Sequence, residues 1–343
     1  MTVKFDPDAA AVPGSGIFGL PFTLDQSRIV LLPVPYDATT SYRPGTANGP
    51  DAIFDASQQV DLHDGRYGAI YEQGIFFDAE APAVAQIRSL STEAAALARP
   101  MIDRGGATDG DARELARIDA TGERVRELVR EYTARVLRAG KVPGLLGGEH
   151  AVSLGAIEAA AAGGELGILQ VDAHMDLRDA FEGFTYSHAS IMYNVLKLVP
   201  GVTRLVQVGL RDFGSGEIAL AKSQPGRVFP HFDDQWKDEL ASGRLFQDLC
   251  KKAIESLPRR VYISFDIDGL DPCLCPHTGT PVPGGLSFHQ ATTLLHALRE
   301  SGREIVGFDL VEVAPGSDPD EPEWDANVGA RLLYKLCGVA GPR

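Results

Sequence analysis

Asp172, His174 and Asp176 fall at every second position beyond the apolar run Ile168-Leu169-Gln170-Val171. In an extended chain, residues i, i+2 and i+4 share one side. Two carboxylates and an imidazole therefore converge where such a strand leaves the core, and that donor set suits a divalent ion such as Mn²⁺, Ni²⁺ or Zn²⁺. The plainer alternative is a polar strand end entering a solvated loop. Two further stretches have the same character. Leu146-Gly147-Gly148-Glu149-His150 frees the backbone with glycines before His150 starts a helix, and Ser264-Phe265-Asp266-Ile267-Asp268 again sets two aspartates on one strand face. Together they supply His150, Asp172, His174, Asp176, Asp266 and Asp268. Four carboxylates crowded together repel and raise one another's pKa. Two divalent ions neutralise them, and ions about 3.5–4 Å apart can share a water and bring its pKa towards neutrality. Helix caps and turns explain one such cluster well and three poorly.

These groups need a scaffold of strands ending at one edge. Short runs rich in Val, Ile and Leu occur at 28–33, 74–77, 142–146, 166–172, 203–209, 226–230, 260–267 and 304–312. Most are apolar on both faces, as expected of a parallel sheet covered by helices. Helical patterns fit 50–58, 121–139, 151–162, 188–198, 243–257 and 287–301, the last with a capping box, Ser287-x-x-Gln290, and a stop at Gly302. Residues 1–25 read as an arm or surface coil. Residues 78–120 read as an insertion of alanine-rich helical pieces with a flexible loop over 104–110. The remainder, 26–340, reads as one α/β/α domain, in which ligands bind beyond the carboxyl ends of the strands.

A chain of 343 residues with 44% hydrophobic content can bury a substantial core. No apolar run approaches the length of a bilayer span, and the N-terminus lacks a basic-then-apolar leader, so the expectation is a cytoplasmic protein. A net charge of −15 argues against nucleic acid or an anionic membrane as partner and suits a small cation. Cys250, Cys273, Cys275 and Cys337 have neither disulfide-scaffold nor zinc-ribbon spacing and read as structural thiols.

Gly147-Gly148-Glu149-His150, Asp172-Ala173-His174-Met175-Asp176 and Ser264-Phe265-Asp266-Ile267-Asp268-Gly269-Leu270-Asp271-Pro272 resemble the three signatures of the ureohydrolases, the arginase and agmatinase family. The likeness runs from about Val30 to Leu336 and includes Thr278-Gly279-Thr280-Pro281 and Val311-Glu312-Val313-Ala314-Pro315. It implies an arginase-like three-layer fold with a central, mostly parallel eight-stranded sheet. It also implies two Mn²⁺ ions per chain, with Ni²⁺ or another divalent ion as alternatives. His150, Asp172, Asp176 and Asp266 would hold one ion, and Asp172, His174, Asp266 and Asp268 the other. The implied reaction is hydrolysis of a guanidinium to urea and an amine. By the same resemblance Glu312 pairs with the guanidinium, His188 shuttles protons, Thr280 hydrogen-bonds near the substrate, and the protein assembles as a homo-trimer or hexamer.

Arginases carry an asparagine after the D-x-H-x-D segment and an acidic residue beyond Leu-Arg-Asp. This chain has Leu177-Arg178-Asp179 at the first place and Phe213-Gly214 at the second. Without those partners the polar end of arginine is poorly read, and the segment through Tyr186-Ser187-His188 is similar to agmatinases. Agmatine, giving putrescine and urea, is the leading substrate, with arginine or a guanidino acid such as guanidinobutyrate as the alternative. Arg178 would oppose a distal ammonium if it faced the pocket; pairing with Asp179 or Glu182 is the plainer expectation. A deacetylase-like hydrolase with one zinc and a non-catalytic subunit are more remote readings. His277 is expected near the cleft, and His289 and His296 on a helix.

Overall fold

The computed structural model describes residues 5–317 and 323–342. Along the chain, strand β1 (Ile29–Val34) leads to helix α1 (Gly49–Ser57), a small antiparallel ribbon of β2 (His63–Asp64) and β3 (Gly68–Ala69), then β4 (Ile75–Phe77). Two long helices follow, α2 (Pro82–Ile102) and α3 (Ala112–Arg138). Strands and helices then alternate through β5 (Val142–Gly147), α4 (Leu154–Ala161), β6 (Leu166–Val171), α5 (Ile191–Leu198), β7 (Val202–Leu210), α6 (Ser215–Ser223) and β8 (Val228–Phe232). Helices α7 (Asp233–Ala241) and α8 (Phe246–Glu255) precede β9 (Arg260–Asp266), and α9 (Phe288–Glu300), β10 (Glu304–Val311) and α10 (Trp324–Ala340) complete the chain.

All but β2 and β3 form one eight-stranded sheet in the order β4-β1-β5-β10-β9-β6-β7-β8, with parallel pairings throughout. Its inner strands are buried on both sides while the edge strands β4 and β8 are half-buried, and alternate side chains enter two separate cores. On β1, Ile29 and Leu31 join α1 and α7–α10, whereas Val30, Leu32 and Val34 join α2–α6. Burying a Val, Leu or Ile side chain contributes about 1.5–3 kcal/mol, so a register slip by one residue is strongly disfavoured. The last two strands slot between β5 and β6. The carboxyl ends of β5, β10, β9 and β6 thus become neighbours although their sequences are far apart.

Several elements depart from the sequence expectations. Helix α3 begins at Ala112, well before 121, because Thr108 and Asp111 form a capping box just ahead of it. Helices α6, α7 and α10 and the β2–β3 ribbon were not anticipated; α7 opens on Asp233-Asp234 and has little apolar patterning to betray it. The 104–110 loop is tied down by the Arg104–Asp111 ion pair and by Ala107 N–H donating to Glu182 O at 2.8 Å. Near the N-terminus the chain is mostly coil, yet Ile17, Phe18 and Leu20 are buried in the core.

Candidate metal centre and cleft

Beyond β5, Gly148 runs against the backbone of Tyr36 so closely that a Cβ would sit 2.0 Å from its carbonyl oxygen. That approach lets the fully buried Glu149 accept hydrogen bonds from Thr39 N–H (2.7 Å) and Thr39 Oγ1 (2.8 Å). The next residue, His150, starts a short 3₁₀ turn, and its backbone N–H donates to Glu312 Oε1 at 2.8 Å. Strands β5 and β10 are thereby joined at the site itself.

All six candidate ligands gather at this edge. His150 Nδ1 lies 3.0 Å from Asp172 Oδ2, 3.1 Å from Asp176 Oδ2 and 3.3 Å from Asp266 Oδ2. His174 Nδ1 lies 3.0 Å from Asp268 Oδ2 and 3.5 Å from Asp172 Oδ1. Asp172 belongs to both groups. Its backbone bonds fix this arrangement: His174 N–H donates to Asp172 Oδ1, Asp268 N–H to Asp266 Oδ1, and Ala173 N–H to Asp268 Oδ1. His150 Nδ1 is buried and has three carboxylate oxygens close by, yet it makes a hydrogen bond to none of them. Donor atoms that point at a common centre rather than at one another fit a shared cation. The nitrogen and oxygen donors suit divalent transition ions.

Electrostatics agree. Burial, followed by the Asp172 charge, pushes Asp176 up to about 7. Burial, Asp268 and Asp172 raise Asp266 well above the usual carboxylate range. Burial also opposes ionising Asp172, but His150 and His174 outweigh it and hold that carboxyl down. The carboxylates in turn overcome burial to raise both histidines. The expected mutual repulsion therefore falls on Asp176 and Asp266, while Asp172, between both imidazoles, escapes it.

A cleft of about 280 Å³ opens over this cluster, lined by His174, Asp176, His188 and Thr280 among others. His188 stands edge-on to Phe181 with ring centroids 5.9 Å apart, and burial and the His174 charge push its pKa down to about 4. Thr280 Oγ1 lies 3.4 Å from Asp268 Oδ2. Glu312 is 6% exposed, and burial drives its carboxyl up to about 8. Asp176 and Glu312 both have φ in the left-handed region, +55° and +62°. Such backbone costs about 1–3 kcal/mol in a residue other than glycine and clusters at functional sites.

Arg178 does line the cleft, but its partner is neither Asp179 nor Glu182. It lies 3.6 Å from Glu217 and 4.7 Å above the Phe181 ring, because Glu217 is drawn in by the N–H groups of Leu177 and Gly214. His277 is held by Asp325 of α10 at 2.9 Å and is not among the residues lining the cleft. His289 and His296 lie on α9. Sequence reading assigned no role to Thr39, Arg211, Glu217 or Asp309. Arg211 sits directly after a strand and clamps the carbonyls of Asp268, Leu270 and Val282, a role visible only once those segments meet.

A model of the Arginase family matches residues 27–338. The chain is 35% identical over 324 residues to an N(1)-aminopropylagmatine ureohydrolase of Thermus thermophilus, covering 92% of each chain. It is 29% identical to an agmatinase of Bacillus anthracis over 86% of this chain and 87% of that one. Among solved structures, the agmatine ureohydrolase of Thermoplasma volcanium superimposes with a TM-score of 0.68 at 26% identity, covering 99% of this chain and 95% of that one.

Proposed function

The chain belongs to the arginase family of ureohydrolases, and from that premise we propose that it hydrolyses agmatine to putrescine and urea with two Mn²⁺ ions bound. His150, Asp172, Asp176 and Asp266 would hold one ion, and Asp172, His174, Asp266 and Asp268 the other. Ions bound there supply Lewis acidity and lower the pKa of water. The observation that carries the reading is the buried His150 Nδ1 facing three carboxylate oxygens at 3.0–3.3 Å, beneath a cleft that His174 and Asp176 line.

The protein's own groups do the rest. A guanidinium is a planar, delocalised cation that resists attack, so it must be held with its face towards the reacting water. Glu312, ionised once the cationic guanidinium offsets its burial, orients it, since a carboxylate accepts parallel N–H bonds, and Thr280 adds a hydroxyl from the cleft lining. His188, kept neutral by burial, takes up a proton and passes it to the departing amine. At the mouth, the Arg178 charge is matched by Glu217, whereas Asp212 forms no ion pair among the described residues. That balance favours a distal ammonium over a carboxylate.

The identity to the Thermus thermophilus relative favours a second reading, in which the substrate carries an N(1)-aminopropyl extension. Residues 26–340 act as one catalytic domain, with 78–120 bracing the cleft rim, in a cytoplasmic homo-oligomer serving polyamine synthesis. The test is urea release by Mn²⁺-loaded protein from agmatine, N(1)-aminopropylagmatine, arginine and guanidinobutyrate. Turnover of the first or second is expected; urea from arginine or the guanidino acid alone overturns the reading.

A further inference from the structure

Asp309 is a charged residue in the middle of the apolar strand β10, fully buried and outside the ligand set. Its strand neighbour on β9 is Ser264. Ser264 Oγ lies 3.1 Å from Asp309 Oδ1 and 3.0 Å from Oδ2, and Phe265 N–H donates to Oδ1 at 3.0 Å. On its other side Ser264 Oγ lies 2.9 Å from His150 Nε2. His150, Ser264 and Asp309 thus form a dry chain leading away from the cleft, with no more than 1% exposure at any member.

The chain has a direction. A carboxylate only accepts hydrogen bonds, and a hydroxyl has one proton to give. Ser264 donates that proton to Asp309, so its oxygen accepts from His150, and the proton on that ring belongs on Nε2. When a cation takes the place of the proton that Nδ1 turns towards Asp172, Asp176 and Asp266, the Nδ1 lone pair is left to bind it. Burial makes the arrangement stringent, because an unsatisfied partner costs about 1–3 kcal/mol, and more if charged.

We propose that Asp309 is a positioning residue that acts through Ser264 to fix the ring orientation and proton placement of His150, presenting Nδ1 to a divalent ion. The inference rests on the metal reading above. Hydrogen-bonded partners of this kind, behind a ligating histidine, are worth about 10–100-fold in metal affinity.

The test is titration of the metal-free protein with Zn²⁺, following stoichiometry and affinity by calorimetry, with melting of the metal-free forms as a parallel measurement. Ser264→Ala and Asp309→Asn should each weaken one of the two ions by about 10–100-fold and leave the other unchanged. The double variant should lose no more than the worse single one, because both act through one ring. Ser264→Thr, which keeps the hydroxyl, should restore binding. Variants that bind both ions as the wild type does overturn the inference; a wild type that binds none overturns the metal reading instead. If the variants fail to fold, ¹⁵N-histidine NMR of the zinc-loaded wild type decides. A His150 ring protonated on Nε2 is expected, and one protonated on Nδ1 refutes the proposal.

Discussion

At the scale of single residues, the two sides of the site separate in their expected responses. Asp266 touches the His150 group through Oδ2 and anchors Asp268 through Oδ1. Asp266→Asn is therefore expected to abolish urea release and lower the metal content, and near-wild-type turnover by that variant contradicts the site. Glu312 makes its contact to His150 through the backbone N–H rather than the ring. Glu312→Ala should cut kcat/KM by about 100-fold, the scale of a lost positioning contact, while both ions remain by elemental analysis. Loss of the ions would show that Glu312 holds the metal site and not the substrate. The left-handed backbone at Asp176 and Glu312 adds a cost that the surrounding bonds sustain. The sequence marks their chemistry but carries no sign of that strain.

At the scale of elements, helix α3 supports the loop that carries His188. Asp119 of α3 accepts from Thr185 N–H (3.0 Å) and Thr185 Oγ1 (2.8 Å), and Glu123 accepts from the Tyr186 hydroxyl. Asp119→Ala removes both bonds to Thr185, with a cost of about 1–3 kcal/mol. Turnover should fall with metal content unchanged, and denaturant unfolding should register the lost stability; unaltered activity would show that the loop holds its shape unaided. Sequence patterning found the sheet strands to within a few residues, because each is a short apolar run. It did not find α6 or α7: α6 holds only the short apolar run Ile218-Ala219-Leu220-Ala221, α7 is polar, and both pack beside β8.

At the scale of the whole molecule, Asp64 of the small ribbon is joined to Lys335 of α10, tying chain positions 271 residues apart. Burial works against ionising Asp64, yet the bonds from Lys335 and from the N–H groups of Arg66 and Tyr67 outweigh it and hold its pKa below the ordinary value. A carboxyl depressed in the folded state adds stability above its unfolded pKa of about 3.9, lost as pH falls through the folded value. Asp64→Asn should be less stable than the wild type at pH 6, with the gap closing in acid; a gap independent of pH would remove the linkage. The net charge of −15 should also draw in a cationic guanidine. Added salt should then lower kcat/KM for agmatine, since screening shortens the field to about 8 Å at physiological ionic strength; no response to salt would rule out steering. By itself the sequence determined the strand runs and six metal-type side chains, because short apolar runs that end in Asp and His are visible locally. Their convergence is made by turns beyond the strands, with Asp268 in a 3₁₀ turn and Asp176 at positive φ, and not by a shared strand face. Only the tertiary structure decided that β10 and β9 insert between β5 and β6, that Arg178 pairs with Glu217, and that Asp309 stands behind His150. Those contacts join segments distant along the chain, and local periodicity carries no information about which strand ends become neighbours.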